Sequence, residues 1–403
     1  MNPRSPAVGF VLVCVFLDVL GVGLIIPVLP SLVGQFTADA QHQSYWYGAL
    51  VASYGLMQFV FSPVLGALSD RLGRRPVLLV SITGLGIDFL VMAFADSLAM
   101  LLAARLVGGI TAATMSVSTA YIADITPAEA RGRGFGLLGA AFGMGFIVGP
   151  LLGGVLGAID LRWPFLAASA LALVNALYGG FVLPESLPAA RRMPFSLARA
   201  NPISALHALG AARGVSGLLW VFALMVLSQF ILHSTWVLTT GLRFGWGPRD
   251  TGLSLFAVGV AATLVQGVLL GPLIARMGER RLVVAGLAST VLAYIGYAVV
   301  PQGWMVYPII LVNLLGMAVG PSLQTLISTS FDPARQGLAM GALNGINGIV
   351  SVVAPLVGTA LFAQVAHLPA SDPRTAVTLW AGAVLQLAAC LLAVREGRRH
   401  RRP

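Results

Sequence analysis

The stretch GALSDRLGRRPVLL, residues 66–79, places one acid and three arginines between two long apolar runs. Only 9% of the residues in the chain are charged, so four charged residues within 14 positions are a local concentration of charge. A related stretch, GPLIARMGERRLVV, begins at Gly271, which is 205 residues after Gly66. A charged turn that joins two apolar segments and recurs at this distance indicates that the chain consists of two duplicated halves.

Outside these turns the chain is strongly apolar. It has 403 residues, 58% of them hydrophobic, and a mean hydropathy of +0.89, whereas soluble domains are about 45–50% apolar. A membrane-spanning helix needs about 20 mostly apolar residues. Runs of that length predict an all-α polytopic membrane protein with twelve spans, at 7–30, 45–66, 76–95, 99–122, 134–158, 164–184, 215–238, 251–271, 282–300, 304–327, 337–362 and 376–394.

The distribution of arginine predicts the orientation of these spans. With both termini in the cytoplasm, the cytoplasmic segments hold 19 arginines and the outer loops hold 4, as the positive-inside rule requires. The net charge of +10 therefore indicates membrane topology and not a nucleic-acid partner. The chain has no lysine, which excludes a phosphate-binding loop of the GxxxxGK[ST] type.

The repeat also predicts the domain organisation. Pro150 in GPLLGG and Pro355 in APLVGT are separated by the same 205 residues. Two pseudo-symmetric six-helix halves are expected at 1–184 and 215–394, with a cytoplasmic linker at 185–214 and a basic tail at 395–403. Transporters with such repeats bind their substrate near the middle of the membrane, between the repeats.

Several motifs resemble those of a known family. The stretch at 66–79 resembles the loop 2–3 signature of the major facilitator superfamily. Three further stretches resemble the helix 1, 4 and 5 signatures of its drug/proton antiporters. They are LDVLGVGLIIPVLP (17–30), ARLVGGITAATMSVSTAYIAD (104–124) and GMGFIVGPLLGG (143–154). Tetracycline-efflux members are similar at LPES (183–186), LRFGW (242–246), GERR (278–281) and PSLQTLISTSFDPARQG (321–337).

This resemblance implies a secondary transporter of the bacterial inner membrane. It would be a monomer without enzymatic activity or cofactors, exporting a small hydrophobic drug, tetracycline-like, in exchange for protons by alternating access. The alternatives are a proton-coupled carrier of another metabolite, an efflux pump for a different drug, and a non-transporting scaffold. The basic tail either contacts anionic membrane lipid or only anchors the topology.

The charged turn is expected to form a gate. Gly66 and Gly73 would allow close approach to a neighbouring helix, and Asp70 would complement the positive end of a nearby helix dipole. Arg74 would pair with Asp124 at the end of helix 4. The resemblance adds Ser69 to this gate, as well as Gly149 and Pro150, which are expected to kink helix 5 and to pack against the other half.

Three charges inside spans are the candidates for proton coupling. An intramembrane charge costs roughly 2.5–3.5 kcal/mol on insertion scales and usually marks a pathway or relay. Helix geometry, at about 1.5 Å per residue, places Asp18, Asp88 and Arg105 in one narrow layer. Asp88 and Arg105 would pair, which leaves one carboxylate without a permanent partner. The alternatives are a purely structural ion pair and a helix-packing hydrogen bond of Asp18 near Gly21.

Other polar residues in the spans are weaker candidates. As substrate-binding residues we consider Gln58, Gln229, His233, Gln266, Asn313 and Gln324. Polar side chains also stabilise helix pairs in membranes, which is the alternative for each of them. The sequence contains no HExxH, CxxC or GxSxG motif, so neither a metal site nor a catalytic nucleophile is expected.

The sequence departs from the tetracycline-efflux pattern in its second half. Alignment through GERR places Ala262 and Thr290 where that family typically has a functional His and Asp. The second half therefore has no clear membrane-embedded acid. This weakens the expectation of a metal-chelated tetracycline as substrate, and it places proton coupling in the first half.

Overall fold

The computed structural model describes residues 5–127, 130–196, 216–331 and 336–399. Helices are the only regular secondary structure in these residues. The first half of the chain contains α1 Ser5–Ile25, α2 Leu29–Gly34, α3 Ala40–Leu72, α4 Arg74–Ala93, α5 Leu98–Thr111, α6 Thr114–Ile125, α7 Arg131–Ile159 and α8 Trp163–Val182. The second half contains α9 Ser216–Phe244, α10 Pro248–Leu264, α11 Leu270–Met277, α12 Glu279–Val299, α13 Val306–Val312, α14 Val319–Thr329, α15 Gln336–Ala363 and α16 Val377–Arg399.

The helical segments match the predicted spans in number. Among the described residues, eleven helices are long and apolar enough to cross a membrane. A twelfth span arises if the pair Gly303–Val312 and Leu315–Thr329, which bends by 53°, counts as one. The all-α polytopic fold is therefore confirmed. Three spans predicted as continuous are interrupted: the first between α1 and α2, the fourth between α5 and α6, and the tenth between α13 and α14.

The repeat is visible in the backbone at two glycines. Gly73 has φ 108° and ψ 159° before α4, and Gly278, 205 residues later, has φ 73° and ψ 153° before α12. Residues other than glycine rarely adopt this region. In both charged turns, a glycine with positive φ thus reverses the chain between two helices.

The chain divides into two compact units. The first unit holds the described residues up to Phe36, those from Ser53 to residue 196, and Gly247–Phe256. The second unit holds Thr37–Ala52 and the other described residues. Two short segments, at the starts of α3 and α10, thus group with the unit of the opposite chain half. The division of the chain at the linker 185–214 stays a prediction, and most of that linker lies outside the described residues.

In the first unit, α1 packs extensively against α7. Three glycines of α7 at intervals of four residues, Gly145, Gly149 and Gly153, face the α1 backbone. A Cβ atom at Gly149 would lie 2.8 Å from the carbonyl oxygen of Leu20. This is the small-residue spacing that lets membrane helices approach closely. Gly149 itself thus packs within its own half, and the packing against the other half expected of this run occurs at Pro150 and Gly154, which lie against Gly252.

The remainder of the GPLLGG run behaves differently. Gly154 faces the first turns of α10, where an added Cβ atom would lie 3.0 Å from the Cα atom of Gly252. Pro150 is buried within α7, and the helix continues from Arg131 to Ile159. The run therefore lets α7 pack closely on two sides, against α1 on one and against the first turns of α10 on the other.

Candidate functional site

An ion pair lies in the interior of the first unit. Arg105 of α5 forms a salt bridge with Asp88 of α4 through its Nη2 atom. The side chain of Asp88 is fully buried and that of Arg105 is 8% exposed. The pairing expected from the sequence is therefore present. Because few waters reach such a site, each charge depends on the other for its compensation.

The surroundings of this pair are small or aromatic. A Cβ atom at Gly108 would lie 2.5 Å from Asp88 Oδ2, so only glycine leaves room for the carboxylate there. The Arg105 guanidinium lies 4.9 Å from the ring centre of Tyr54 and 5.9 Å from that of Phe89. Aromatic faces attract cations at these distances. Asp88 Oδ1 and Arg105 Nε have no hydrogen-bond partner among the described residues.

Asp18, the second intramembrane acid, has different surroundings. Its side chain is half-buried on α1, and its Oδ1 atom accepts a hydrogen bond of 3.1 Å from the Thr114 hydroxyl. Thr114 is the first residue of α6, directly after the interruption of the fourth span. No cation pairs with Asp18 in the part of the chain that the structure describes. Of the two intramembrane acids, Asp18 is thus the one without an ionic partner among the described residues. Its hydrogen bond to Thr114 joins α1 to α6, so both the helix-packing role and the coupling role of Asp18 stay predictions.

The charged turn forms a compact network, which we call the Arg74 cluster: Ser69, Asp70, Arg74 and Asp124. Arg74 Nε donates to Asp124 Oδ2 at 3.0 Å, as the sequence predicts. Its Nη1 atom lies 2.6 Å from Asp70 Oδ1 and 2.6 Å from Ser69 Oγ. The Arg74 side chain is 10% exposed, whereas those of Asp70 and Asp124 are 27% and 22% exposed. One arginine thus ties the ends of α3, α4 and α6 together.

The N-terminus of α4 is capped by Glu185, a residue not predicted from the sequence to belong to the site. Glu185 accepts hydrogen bonds from the backbone N–H groups of Arg74 at 2.8 Å and Arg75 at 3.3 Å. Such a carboxylate satisfies free amides and complements the helix dipole. Asp70 was expected to serve a helix N-terminus in this way, but it binds the Arg74 side chain instead. Only the LPES resemblance at 183–186 pointed toward Glu185.

The two glycines of the charged turn differ in their roles. At Gly66 an added Cβ atom would meet nothing closer than Ser116 Oγ at 3.7 Å, so the close approach expected there is not observed. At Gly73 the positive φ is strained for other residues, and an added Cβ atom would also collide with Glu185. Gly73 is therefore required both for its backbone conformation and for the cap on α4.

This difference yields a prediction with an internal control. Gly73→Ala and Gly278→Ala both force a side chain into a backbone region that costs about 1–3 kcal/mol. Only Gly73→Ala also displaces Glu185, because the space around Gly278 is open. We expect Gly73→Ala to lower the free energy of unfolding further, by about 1 kcal/mol for the lost cap. Unfolding of both variants in the same detergent measures this, and equal losses would contradict the capping role of Glu185.

The substrate-binding candidates are distributed over both units. Gln58 belongs to the first unit, and the five others belong to the second. Exposed side chains occur at Gln58, His233, Gln266 and Gln324, whereas those of Gln229 and Asn313 are half-buried. Gln266 lies in a π-helical segment, Val265–Leu269, a feature that is frequent at functional sites. Their role in binding stays a prediction.

Thr290, which aligns with the Asp of the tetracycline-efflux pattern, is part of a neutral polar cluster. Thr290 is buried and donates to the Gly286 carbonyl at 3.0 Å or to Asn313 Oδ1 at 3.0 Å. Next to it, Ser289 donates to the Val312 carbonyl at 2.6 Å. These bonds satisfy groups that the interruption between α13 and α14 sets free. In the described spans of the second half, acids occur only near helix ends, as at Asp250 and Glu279.

The sequence predicts no metal site. The described residues contain no group of three His, Cys, Asp or Glu side chains that could hold a metal ion.

Known proteins resemble this chain over nearly its whole length. A family model described as the Major Facilitator Superfamily matches residues 11–355. Tetracycline resistance protein class C of Escherichia coli is 42% identical over 383 residues, which cover 95% of both chains. The class G protein of Vibrio anguillarum is 39% identical over 370 residues, which cover 90% of this chain and 92% of that protein.

Solved structures agree with this assignment. The human organic anion transporter MFSD10 matches with a TM-score of 0.69 and 25% identity, covering 98% of this chain and 100% of that one. A D-xylose-proton symporter matches in fold, with a TM-score of 0.76 and 19% identity over 96% of both chains. The duplicated charged turns, the apolar spans and these likenesses lead to one conclusion. The chain belongs to the Major Facilitator Superfamily and is a relative of the tetracycline resistance proteins.

Proposed function

We propose that this protein exports a hydrophobic drug, tetracycline-like, in exchange for protons by alternating access. The observation that carries this proposal is the contrast between two intramembrane acids. Asp88 forms a salt bridge with Arg105. Asp18 is half-buried, and its hydrogen-bond partner among the described residues is the neutral Thr114 hydroxyl. An acid without an ionic partner can gain and lose a proton without breaking a salt bridge.

The Thr114 hydroxyl suits both protonation states of Asp18. It donates to the ionised carboxylate, and after rotation its oxygen accepts a hydrogen bond from the protonated acid. Thr114 lies directly after the interruption between α5 and α6. A movement of α6 relative to α1 would therefore change the environment of the acid. This couples proton occupancy to conformation, as exchange requires.

In this mechanism the Arg74 cluster is the gate. Its hydrogen bonds hold the ends of α3, α4 and α6 in one arrangement, and they have to rearrange when those ends separate. Gly149 and Pro150 contribute by close packing of α7 rather than by charge. The cluster lies on the side that the arginine distribution predicts to be cytoplasmic, with both termini, in the bacterial inner membrane.

Replacing Asp70 by Asn tests this gate. Asn has nearly the same size, but it lacks the charge that attracts Arg74 at 2.6 Å. We expect at least a ten-fold lower export rate with a normal amount of protein in the membrane. Arg71→Gln is the matched control, because the adjacent Arg71 is exposed and has no ion pair among the described residues. Full export by Asp70→Asn, or an equal loss in Arg71→Gln, would remove the gating role.

The choice of substrate rests on the relatives that are named for tetracycline resistance. Ala262 and Thr290 align with the positions where tetracycline-efflux proteins typically have a functional His and Asp. Neither residue has an imidazole or a carboxylate. We therefore propose tetracycline-like drugs as the substrate class without a metal ligand from the second half. A monomer suffices for this mechanism.

The experiment is a drug-susceptibility panel in a bacterial host that lacks its own efflux pumps. Expression should raise the inhibitory concentration of tetracycline several-fold, and Asp18→Asn should return it to that of the empty vector. Chemically unrelated hydrophobic drugs test the alternative of a different drug pump. No change for any drug, despite protein in the membrane, would contradict drug export and favour a metabolite carrier.

A further inference from the structure

The second unit contains a cavity that the proposed transport function does not use. It has a volume of about 510 Å³ and opens between α9, α12, α14 and α16. Its lining is mainly aliphatic and includes Leu218, Val283, Val284, Ala288, Leu326 and Ala393. Sites for small organic ligands usually have volumes of about 300–1,000 Å³. The cavity is therefore large enough for an extended apolar chain.

One end of this cavity is cationic. Arg280 and Arg281, in the first turn of α12, line it with exposed side chains. Neither arginine forms an ion pair with a described residue. Their guanidinium groups have the planar fork that binds phosphate oxygens in pairs. The start of the 21-residue helix α12 adds its own positive potential at the same place.

The lining also contains one carboxylate, Glu396. Glu396 of α16 packs directly over Gly217, where an added Cβ atom would collide with the carboxyl group. Gly217 lies in the first turn of α9, so the positive end of that helix compensates the charge of Glu396. Glu279 and Arg276 flank the Gly278 turn, but neither lines the cavity. The cavity thus combines an apolar interior with two arginines and one glutamate, and neither arginine forms an ion pair with a described residue.

We propose that this cavity binds an anionic glycerophospholipid of the surrounding membrane. The acyl chain lies among the aliphatic side chains, and Arg280 and Arg281 hold the phosphate. The charged turn at 276–281 lies on the side that the arginine distribution predicts to be cytoplasmic, where basic pockets between helices meet anionic headgroups. A soluble anion would not need the apolar interior, and a neutral apolar ligand would not need the arginines.

The test uses the purified full-length protein in phosphatidylcholine nanodiscs, with dioleoyl-phosphatidylglycerol as the probe. Native mass spectrometry measures the bound lipid as a function of its mole fraction. We expect saturable binding of phosphatidylglycerol and at least ten-fold weaker binding in Arg280→Gln/Arg281→Gln. Arg276→Gln is the matched control, because Arg276 is exposed on the same turn outside the cavity. Equal losses in both would show a general surface charge effect and overturn the proposal.

A second variant separates lipid from free phosphate and guards against misfolding. Ala288→Phe fills the cavity and leaves both arginines in place, so it should also weaken phosphatidylglycerol binding at least ten-fold. Thermal unfolding in pure phosphatidylcholine shows whether each variant is folded. Unchanged lipid binding by Ala288→Phe, together with displacement of the lipid by inorganic phosphate, would assign the site to a soluble anion. Displacement by tetracycline would assign it to the drug; either result contradicts the proposal.

Discussion

Replacing Asp18 by Asn should abolish drug transport that is driven by a proton gradient, while drug binding and downhill exchange persist. Asp18 is half-buried, and among the described residues its hydrogen-bond partner is the neutral Thr114 hydroxyl. Asn accepts the same hydrogen bond and has nearly the same size, so the helix contact survives. It cannot take up a proton, and the coupling step is therefore lost. We expect uphill transport in inverted vesicles to fall at least a hundred-fold, to the level of vesicles without the protein.

Two controls make this result specific. Asp18→Glu retains a titratable carboxyl group and should retain part of the coupled transport. Thr290→Ala removes the hydroxyl that binds Asn313 at 3.0 Å and should lower transport only a few-fold, because no proton is exchanged there. If Asp18→Asn still coupled drug export to proton entry and Thr290→Ala did not, the coupling site would lie in the second half of the chain.

Breaking the Asp88–Arg105 pair should strongly destabilise the first unit. The two side chains are 0% and 8% exposed, so removal of one partner leaves the other charge buried without compensation. For buried pairs this costs about 3–5 kcal/mol. We expect Asp88→Asn and Arg105→Gln each to lower the free energy of unfolding by about this amount. The ring of Tyr54, 4.9 Å from the guanidinium, compensates only part of the loss in Asp88→Asn.

The double variant Asp88→Asn/Arg105→Gln distinguishes this pair from two independent contributions. Because it removes both charges, we expect its loss to be smaller than the sum of the single losses. A double-mutant cycle, measured by chemical unfolding in detergent, gives the interaction energy directly. Small and additive losses would show that water or lipid already screens the pair, and the contrast between a paired Asp88 and an unpaired Asp18 would fail.

The fold could be predicted from the sequence because its signals are repeated. Apolar runs of about 20 residues recur along the chain, and the glycines at the two charged turns are 205 residues apart and share one backbone conformation. The contact of Arg74 with Asp124 followed from the placement of two opposite charges at adjoining helix ends. So did the Asp88–Arg105 pair, whose members lie at similar depth on two consecutive spans.

Contacts between segments distant in sequence could not be predicted in this way. Nothing in LPES shows that the Glu185 carboxylate reaches the start of α4, which precedes it by 111 residues. The spacing of Gly145, Gly149 and Gly153 indicates a close helix contact, but it does not identify α1 as the partner. The interruption that places Thr114 beside Asp18 has no proline to mark it. In each case the three-dimensional neighbour, and not the local residue, determines the role.

Proton-coupled export by this chain is tested most directly in proteoliposomes that contain the purified protein and no nucleotide. A potential of 100 mV supplies about 2.3 kcal/mol for each charge that crosses, roughly a fifty-fold concentration ratio of drug. A pH gradient that is acidic inside the liposomes should drive tetracycline to accumulate inside while protons leave through the protein. A protonophore, which collapses the gradient, should abolish this accumulation. Accumulation that continues without any ion gradient, or that proceeds without proton movement, would contradict proton-coupled export.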